Sequence, residues 1–145
     1  LQDYSHKRFN ILTGEGVLVS PHRAKRPWQG QNEEIANEKR PTHDPSCYLC
    51  SGNTRINGET NPVYKDVFVF TNDFAALQTT SPTFNVSEGL FKAESEHGIC
   101  KVICFSPDHS KSLADMEVLD IDKVVKTWQN EYTRYFTRSY FLSYI

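Results

Sequence analysis

Apolar positions alternate with polar ones in several short runs, and one longer run follows a helical period. Arg8 to Ser20, "RFNILTGEGVLVS", predicts two short strands around a Thr13-Gly14 turn, with Val17 and Val19 alternating with Leu18. The following "PHRAKRPWQGQ" is too punctuated by proline and glycine to be regular. Glu33 to Thr42 is polar and reads as an exposed loop. "VFVF" (67–70) predicts a short buried strand closed by Thr71-Asn72-Asp73, and Thr79 to Glu88 again reads as loop. "ICKVICF" (99–105) is the clearest strand, with Cys100, Val102 and Cys104 on one face and Ile99, Lys101, Ile103 and Phe105 on the other. Met116, Leu119, Val124, Val125, Trp128 and Tyr132 are spaced as on a helix, predicted at about residues 117–135 with Asp120 or Asp122 near its start. The tail "RSYFLSYI", ending at Ile145, has strand composition. No internal repeat or low-complexity segment interrupts this order.

Composition narrows the class. With 145 residues, 38% hydrophobic and 23% charged, the chain is sized for one domain with a single core. A formal net charge of −2 gives no global basic field for nucleic acid. No apolar run is long enough to span a membrane, and Leu1-Gln2-Asp3 does not open a signal peptide. Four cysteines are too sparse for a disulfide scaffold, so they are expected to be reduced thiols in a cytoplasmic protein.

The chemistry concentrates in "HDPSCYLCSGNTRINGE", His43 to Glu59. Cys47 and Cys50 have the C-x-x-C spacing that lets two thiolates reach one ion. A redox pair would be expected between a strand and a helix, whereas Pro45 precedes this pair and Ser51-Gly52-Asn53 follows it. A metal knuckle fits better; a redox pair and plain structural thiols remain the alternatives. Cys100 and Cys104, ~13 Å apart along a strand, suit buried small hydrophobes rather than a shared ion. His109, just past that strand in "SPDHS", is either a surface-loop histidine or a ring turned onto the knuckle. His43, four residues before Cys47, competes with it. His6, His22 and His97 lack metal spacing. Three plausible ligands are present and a clear fourth is not.

These residues resemble the galactose-1-phosphate uridylyltransferase family. "SPHRAKRPWQGQ", "CYLCSGN", "NPVYKDVFVFTNDFAAL", "VICFSPDHS" and "VVKTWQ" occur in the family's order and spacing over roughly residues 7 to 130. The resemblance implies an α/β (α+β) fold of the histidine-triad-like group: a large antiparallel sheet with flanking helices, incomplete in this chain. It implies exchange of uridylyl groups between UDP-glucose and galactose 1-phosphate by a cytoplasmic homodimer, through a uridylyl-histidine intermediate. It makes Cys47, Cys50 and His109 zinc ligands, with a fourth expected beyond Ile145, and the second half of the family can carry iron. Arg23, Ala24, Lys25 and Arg26 match the loop whose arginines meet nucleotide phosphates across a dimer interface. Asn72 and Asp73 match the pair that holds the ribose, and Ile56 a position lining the nucleotide pocket. Leu49, Phe70 and Phe74 would help to enclose the base. Guanidinium forks suit phosphate oxygens, and an aspartate can accept from both ribose hydroxyls. Residue by residue, the bland alternatives are a short exposed basic loop for 23–26, a strand-ending turn for Asp73 and a packing anchor for Trp28.

The family's nucleophile lies in a His-Pro-His motif, which residues 1–145 do not contain. No catalytic residue is therefore expected among them, and the nucleophilic histidine is expected beyond Ile145. The chain is expected to be the N-terminal part of a uridylyltransferase domain, cut before that motif, inactive alone and poorly folded. The alternative is a catalytically inactive zinc-containing nucleotide-binding or scaffold protein.

Overall fold

The structure is a computed structural model that describes residues 3–26 and 40–136. Trp28, residues 33–39 of the expected polar loop and the strand expected at 138–145 lie outside the described residues. Ile145, the position beyond which the nucleophile and the fourth metal ligand are expected, is among them, so the strand reading of "RSYFLSYI" is neither supported nor corrected. The contacts divide the chain into two compact units, residues 1–31 with 74–101 and residues 32–73 with 102–145.

The first unit is a four-stranded antiparallel sheet. The expected hairpin is β1 (His6–Phe9) and β2 (Gly16–Val19), in register from His6 opposite Val19 to Phe9 opposite Gly16. Its loop closes with Asn10 N–H on Glu15 O (2.9 Å) and Gly14 N–H on Asn10 O (2.8 Å). Gly14 has φ +74°, where a side chain would be strained. Against the loop expected at 79–88, Asn85–Glu88 forms a strand, β4, which pairs with Phe91–Ser95, a strand the pattern did not signal. The latter is β5, and it also pairs with β1, giving the order β2-β1-β5-β4. "NVSE" and "FKAES" carry few apolar residues; their strand state comes from ladder bonds to distant backbone rather than from their own pattern.

Pro21–Lys25, expected to be irregular, winds into a short 3-10 helix with proline at its start. Two carbonyls anchor this region. Ser5 and Ser20 hydroxyls both donate to Ala76 O, and His22 Nε2 donates to Ala75 O at 2.6 Å.

In the second unit β3 (Phe68–Thr71) pairs with β6 (Lys101–Cys104), both close to the predicted strands. Cys104 is buried as expected, while Cys100 lies outside β6 and is half-buried. The single described α-helix, α1, spans Val118–Phe136 against the predicted 117–135. Its buried face differs from the one expected. Val124 is 1% exposed and Met116, just before the helix, is 9% exposed. Leu119, Val125, Trp128 and Tyr132 are exposed, although Trp128 and Tyr132 follow Val124 at spacings of four and eight residues on the same side of the helix. Spacing shows that a helix exists; which stripe is covered depends on what the neighbouring backbone brings to it.

Candidate metal centre and adjoining cleft

Two loops carry the metal-ligand candidates, and both open with the same local device. In "DPSC" the Asp44 carboxylate accepts from Ser46 N–H (2.8 Å) and Ser46 Oγ (2.7 Å); in "PDHS" Asp108 accepts from Ser110 N–H (3.0 Å) and Ser110 Oγ (2.6 Å). The serine bonds hold both aspartic acids below the ordinary carboxylate range. Each turn thus fixes the backbone next to a ligand, and His109 N–H donates to Thr42 O at 2.8 Å, joining the loops.

Cys47, Cys50 and His109 converge as a result. One ligand atom from each lies within 4.8 Å of the others, and Cys50 Sγ is 3.4 Å from His109 Nδ1. Metal–sulfur bonds of ~2.3 Å and metal–nitrogen bonds of ~2.0 Å put the vertices of a zinc tetrahedron about 3.5–3.8 Å apart, so the spacing suits one ion. A second observation supports the fit: Leu49 N–H points at Cys47 Sγ, 3.4 Å away, an acceptor that strengthens when the sulfur is a metal-bound thiolate. No helix starts at either cysteine, and burial pushes the Cys50 thiol up, the opposite of an activated redox cysteine. The knuckle reading therefore stands over the redox one. His43, the competing ligand, donates from Nε2 to Ser51 O (3.1 Å) and is not in the cluster.

Sequence reasoning missed what holds the knuckle. Three side chains cap its carbonyls. Asn53 Nδ2 donates to Asp44 O and Cys47 O (both 2.8 Å). Asn61 Nδ2 donates to Tyr48 O (2.8 Å) and Cys50 O (3.1 Å), and Tyr64 Oη donates to Leu49 O (2.6 Å). Burial and the neighbouring Cys104 push the Tyr64 hydroxyl well above its usual range, so it remains a donor. Gly52, with φ +78°, turns the chain out of the knuckle toward Asn53. The only signal for these roles was the density of asparagine beside a C-x-x-C, which by itself reads as turn chemistry.

Asn72 and Asp73 follow β3 directly and line an open cleft of about 470 Å³, in the same unit as the metal cluster. Arg55, Asn57, Glu59, Phe70 and Thr71 complete its wall. Asp73 Oδ1 accepts from Asn57 Nδ2 (2.8 Å), and Oδ2 lies 3.3 Å from Arg55 Nε. A carboxylate has roughly four acceptor positions, so these contacts leave capacity for a ligand's hydroxyls. Phe70 is on the wall. Ile56, between two wall residues, is half-buried and not on it; Leu49 is exposed and also off it, and Phe74 belongs to the other unit. Arg23, Ala24, Lys25 and Arg26 are all exposed on the 3-10 helix or its end, in the first unit, where neither arginine forms an ion pair with a described residue.

All five histidines have a ring nitrogen engaged. His6, 0% exposed, donates from Nδ1 to Tyr4 O (2.8 Å) and accepts at Nε2 from Arg8 Nε (3.0 Å), so both ring nitrogens are engaged. His22 and His97 bond Ala75 O and Ser81 O, His43 bonds Ser51 O, and His109 is in the metal cluster.

Comparison with known proteins completes the picture. Residues 1–143 match the family described as galactose-1-phosphate uridyl transferase, N-terminal domain. The galactose-1-phosphate uridylyltransferase of Haemophilus influenzae is 50% identical over 130 residues, covering 89% of this chain and 37% of that protein. The Kluyveromyces lactis protein of the same name is 49% identical over 138 residues, covering 90% and 37%, and that of Saccharomyces cerevisiae 43% over 134 residues, covering 87% and 37%. The chain thus spans just over a third of the length of these relatives. A solved structure titled "Structure of uridylyltransferase" superposes with a TM-score of 0.64 over 92% of this chain and 36% of that one; at 22% identity it supports the mixed α/β fold with its antiparallel sheet. On the match across residues 1–143 and the identities of 43–50%, the chain belongs to the galactose-1-phosphate uridyl transferase family, in its N-terminal domain.

Proposed function

We propose that this chain is the N-terminal part of a cytoplasmic, homodimeric UDP-glucose–hexose-1-phosphate uridylyltransferase of galactose metabolism. One observation carries the reading: Asn72 and Asp73 line a cleft in the same unit as a Cys47–Cys50–His109 cluster, in a chain 50% identical to a protein named for this activity. Asn72 and Asp73 hold the ribose of UDP-glucose, Ile56 and Phe70 lie toward the base, and the Arg23–Arg26 loop neutralises the diphosphate across the dimer interface. Cys47, Cys50 and His109 hold zinc with a fourth ligand outside residues 1–145. The ion's contribution is structural, cross-linking two loops that the described residues join by few bonds. The nucleophile is a histidine of a His-Pro-His motif beyond Ile145; it displaces glucose 1-phosphate from the α-phosphorus and then passes the uridylyl group to galactose 1-phosphate.

Two expected results follow. In the full-length protein Arg26→Ala should weaken UDP-glucose binding or slow transfer by one to two decades, because a charge-assisted pair is worth roughly 1.5–3 kcal/mol. Its melting temperature should not move, since Arg26 is exposed. Unchanged kcat and KM would remove Arg26 from the site. Secondly, when the full-length protein is loaded with labelled UDP-glucose and digested, no label should lie within residues 1–145. Every histidine here already has a ring nitrogen bonded, and most of those bonds hold backbone carbonyls. Label on any of the five would overturn the assignment; no label anywhere would favour the catalytically inactive nucleotide-binding alternative.

A further inference from the structure

One side chain touches both the cleft and the support of the metal knuckle. Arg55 is 8% exposed, and its guanidinium reaches in three directions. Nε lies 3.3 Å from Asp73 Oδ2, Nη2 pairs with Glu59, and Nη1 donates to Asn61 Oδ1 at 3.3 Å. The group stacks over the Phe70 ring, 4.3 Å from its centroid. Asn61, 2% exposed, has its Nδ2 committed to the carbonyls of Tyr48 and Cys50, so its Oδ1 must face a donor, and Arg55 is that donor.

We propose that Arg55 is a positioning residue that ties the cleft to the metal centre, holding the Asp73 carboxylate on one side and the Asn61 amide on the other, so that a nucleotide in the cleft and a metal ion on the knuckle favour each other. The nucleotide half of this rests on the proposed reading of Asp73 as the ribose-binding residue. A guanidinium is a rigid planar fork, so a displacement felt at Nε is transmitted to Nη1 without being absorbed by torsions. The structure also leaves something for a ligand to complete. Arg55 Nε is buried with no aligned hydrogen bond, although Asp73 Oδ2 is 3.3 Å away. A ligand that reorients Asp73 toward this donor satisfies it, locks the guanidinium, and with it the amide that caps two of the four knuckle residues from Cys47 to Cys50. Such coupling is reciprocal: whatever factor the nucleotide exerts on metal affinity, the metal exerts on nucleotide affinity.

The test uses the full-length protein. Zinc affinity is measured by competition with a chromophoric chelator, with and without saturating UDP. In the wild type UDP should tighten zinc binding about fivefold or more. In Arg55→Met that dependence should vanish, and nucleotide-free zinc affinity should fall about tenfold, the lower range for a group that orients a ligand from behind. Arg55→Lys keeps the charge beside Asp73 but cannot span to Asn61, so it too should lose the linkage; it also serves if Arg55→Met does not fold. Absence of linkage in the wild type, or its survival in both variants, overturns the proposal. A lowered melting temperature with linkage intact would mean that Arg55 only stabilises the fold, and overturns it equally. Asp73→Asn separates the two readings. If it leaves UDP affinity unchanged, the ribose assignment fails, while the nucleotide-free zinc affinity of Arg55→Met still decides whether Arg55 supports the knuckle.

Discussion

Cys47→Ser in the full-length protein should abolish stoichiometric zinc and lower the melting temperature by ten degrees or more. The proposed site is built from two loops far apart in sequence, and among the described residues the bonds that join them are few: His109 N–H to Thr42 O, and the Cys50–His109 side-chain contact. An ion shared by Cys47, Cys50 and His109 is the strongest cross-link available to them. Structural zinc binds zinc-finger peptides with about 10–16 kcal/mol of apparent free energy, comparable with the whole stability of a domain at about 5–15 kcal/mol. Here the Asp44 and Asp108 turns and the asparagine caps keep part of the loop structure without metal, so the loss should fall short of complete unfolding. Elemental analysis and thermal unfolding, each with and without chelator, check this. The wild type should lose stability on chelation and the variant should be indifferent. Zinc remaining stoichiometric in both Cys47→Ser and His109→Asn would show that the ligand set is wrong.

The second large effect is expected at Asn61, which no motif singles out. Asn61→Ala should cost about 2–4 kcal/mol of unfolding free energy. One amide supplies two donors to Tyr48 O and Cys50 O and one acceptor to Arg55, all at a residue 2% exposed. Each net hydrogen bond is worth about 0.5–1.5 kcal/mol, but a buried group left without a partner costs about 1–3 kcal/mol; here Tyr48 O and one guanidinium donor would be stranded, while Cys50 O would keep only its bond from Asn53 N–H. Asn61→Asp sharpens the test. It retains an acceptor for Arg55 but replaces the donors with an oxygen facing two carbonyls, so it should be no better than alanine. Urea unfolding of both variants measures the effect. A loss below about 0.5 kcal/mol, the ordinary range for an uninvolved surface position, would mean the caps are incidental.

Read along the chain, the parts with a strong local signal came through. The Thr13-Gly14 turn carries its own turn residues, the 101–104 strand an apolar run closed by Pro107, and α1 a helical period, so local energetics favour each of them. The metal candidates were legible as well, because C-x-x-C spacing is a local constraint and "PDHS" carries its own Asp-Ser turn. Family membership was legible for another reason: five quoted segments had to occur in order, and together they covered most of the chain.

Which groups meet is set by the tertiary fold. Local pattern was enough for the β1–β2 hairpin, β3, β6 and α1, for the two metal-ligand loops and for the "TND" end of β3 with its carboxylate. It was not enough to show that "NVSE" and "FKAES" are strands or that α1 buries Val124 rather than Leu119, Trp128 and Tyr132, and spacing alone left His43 competing with His109 until the family resemblance chose His109. Nor could it assign Asn53, Asn61 and Tyr64 to the knuckle carbonyls, or Arg55 to a place between Asp73 and Asn61. Periodicity reports the free energy a segment gains from its own spacing. A hydrogen bond to a distant carbonyl, or the choice of which helix stripe is covered, is set by what the rest of the fold brings within about 3 Å, and no local pattern encodes that distance.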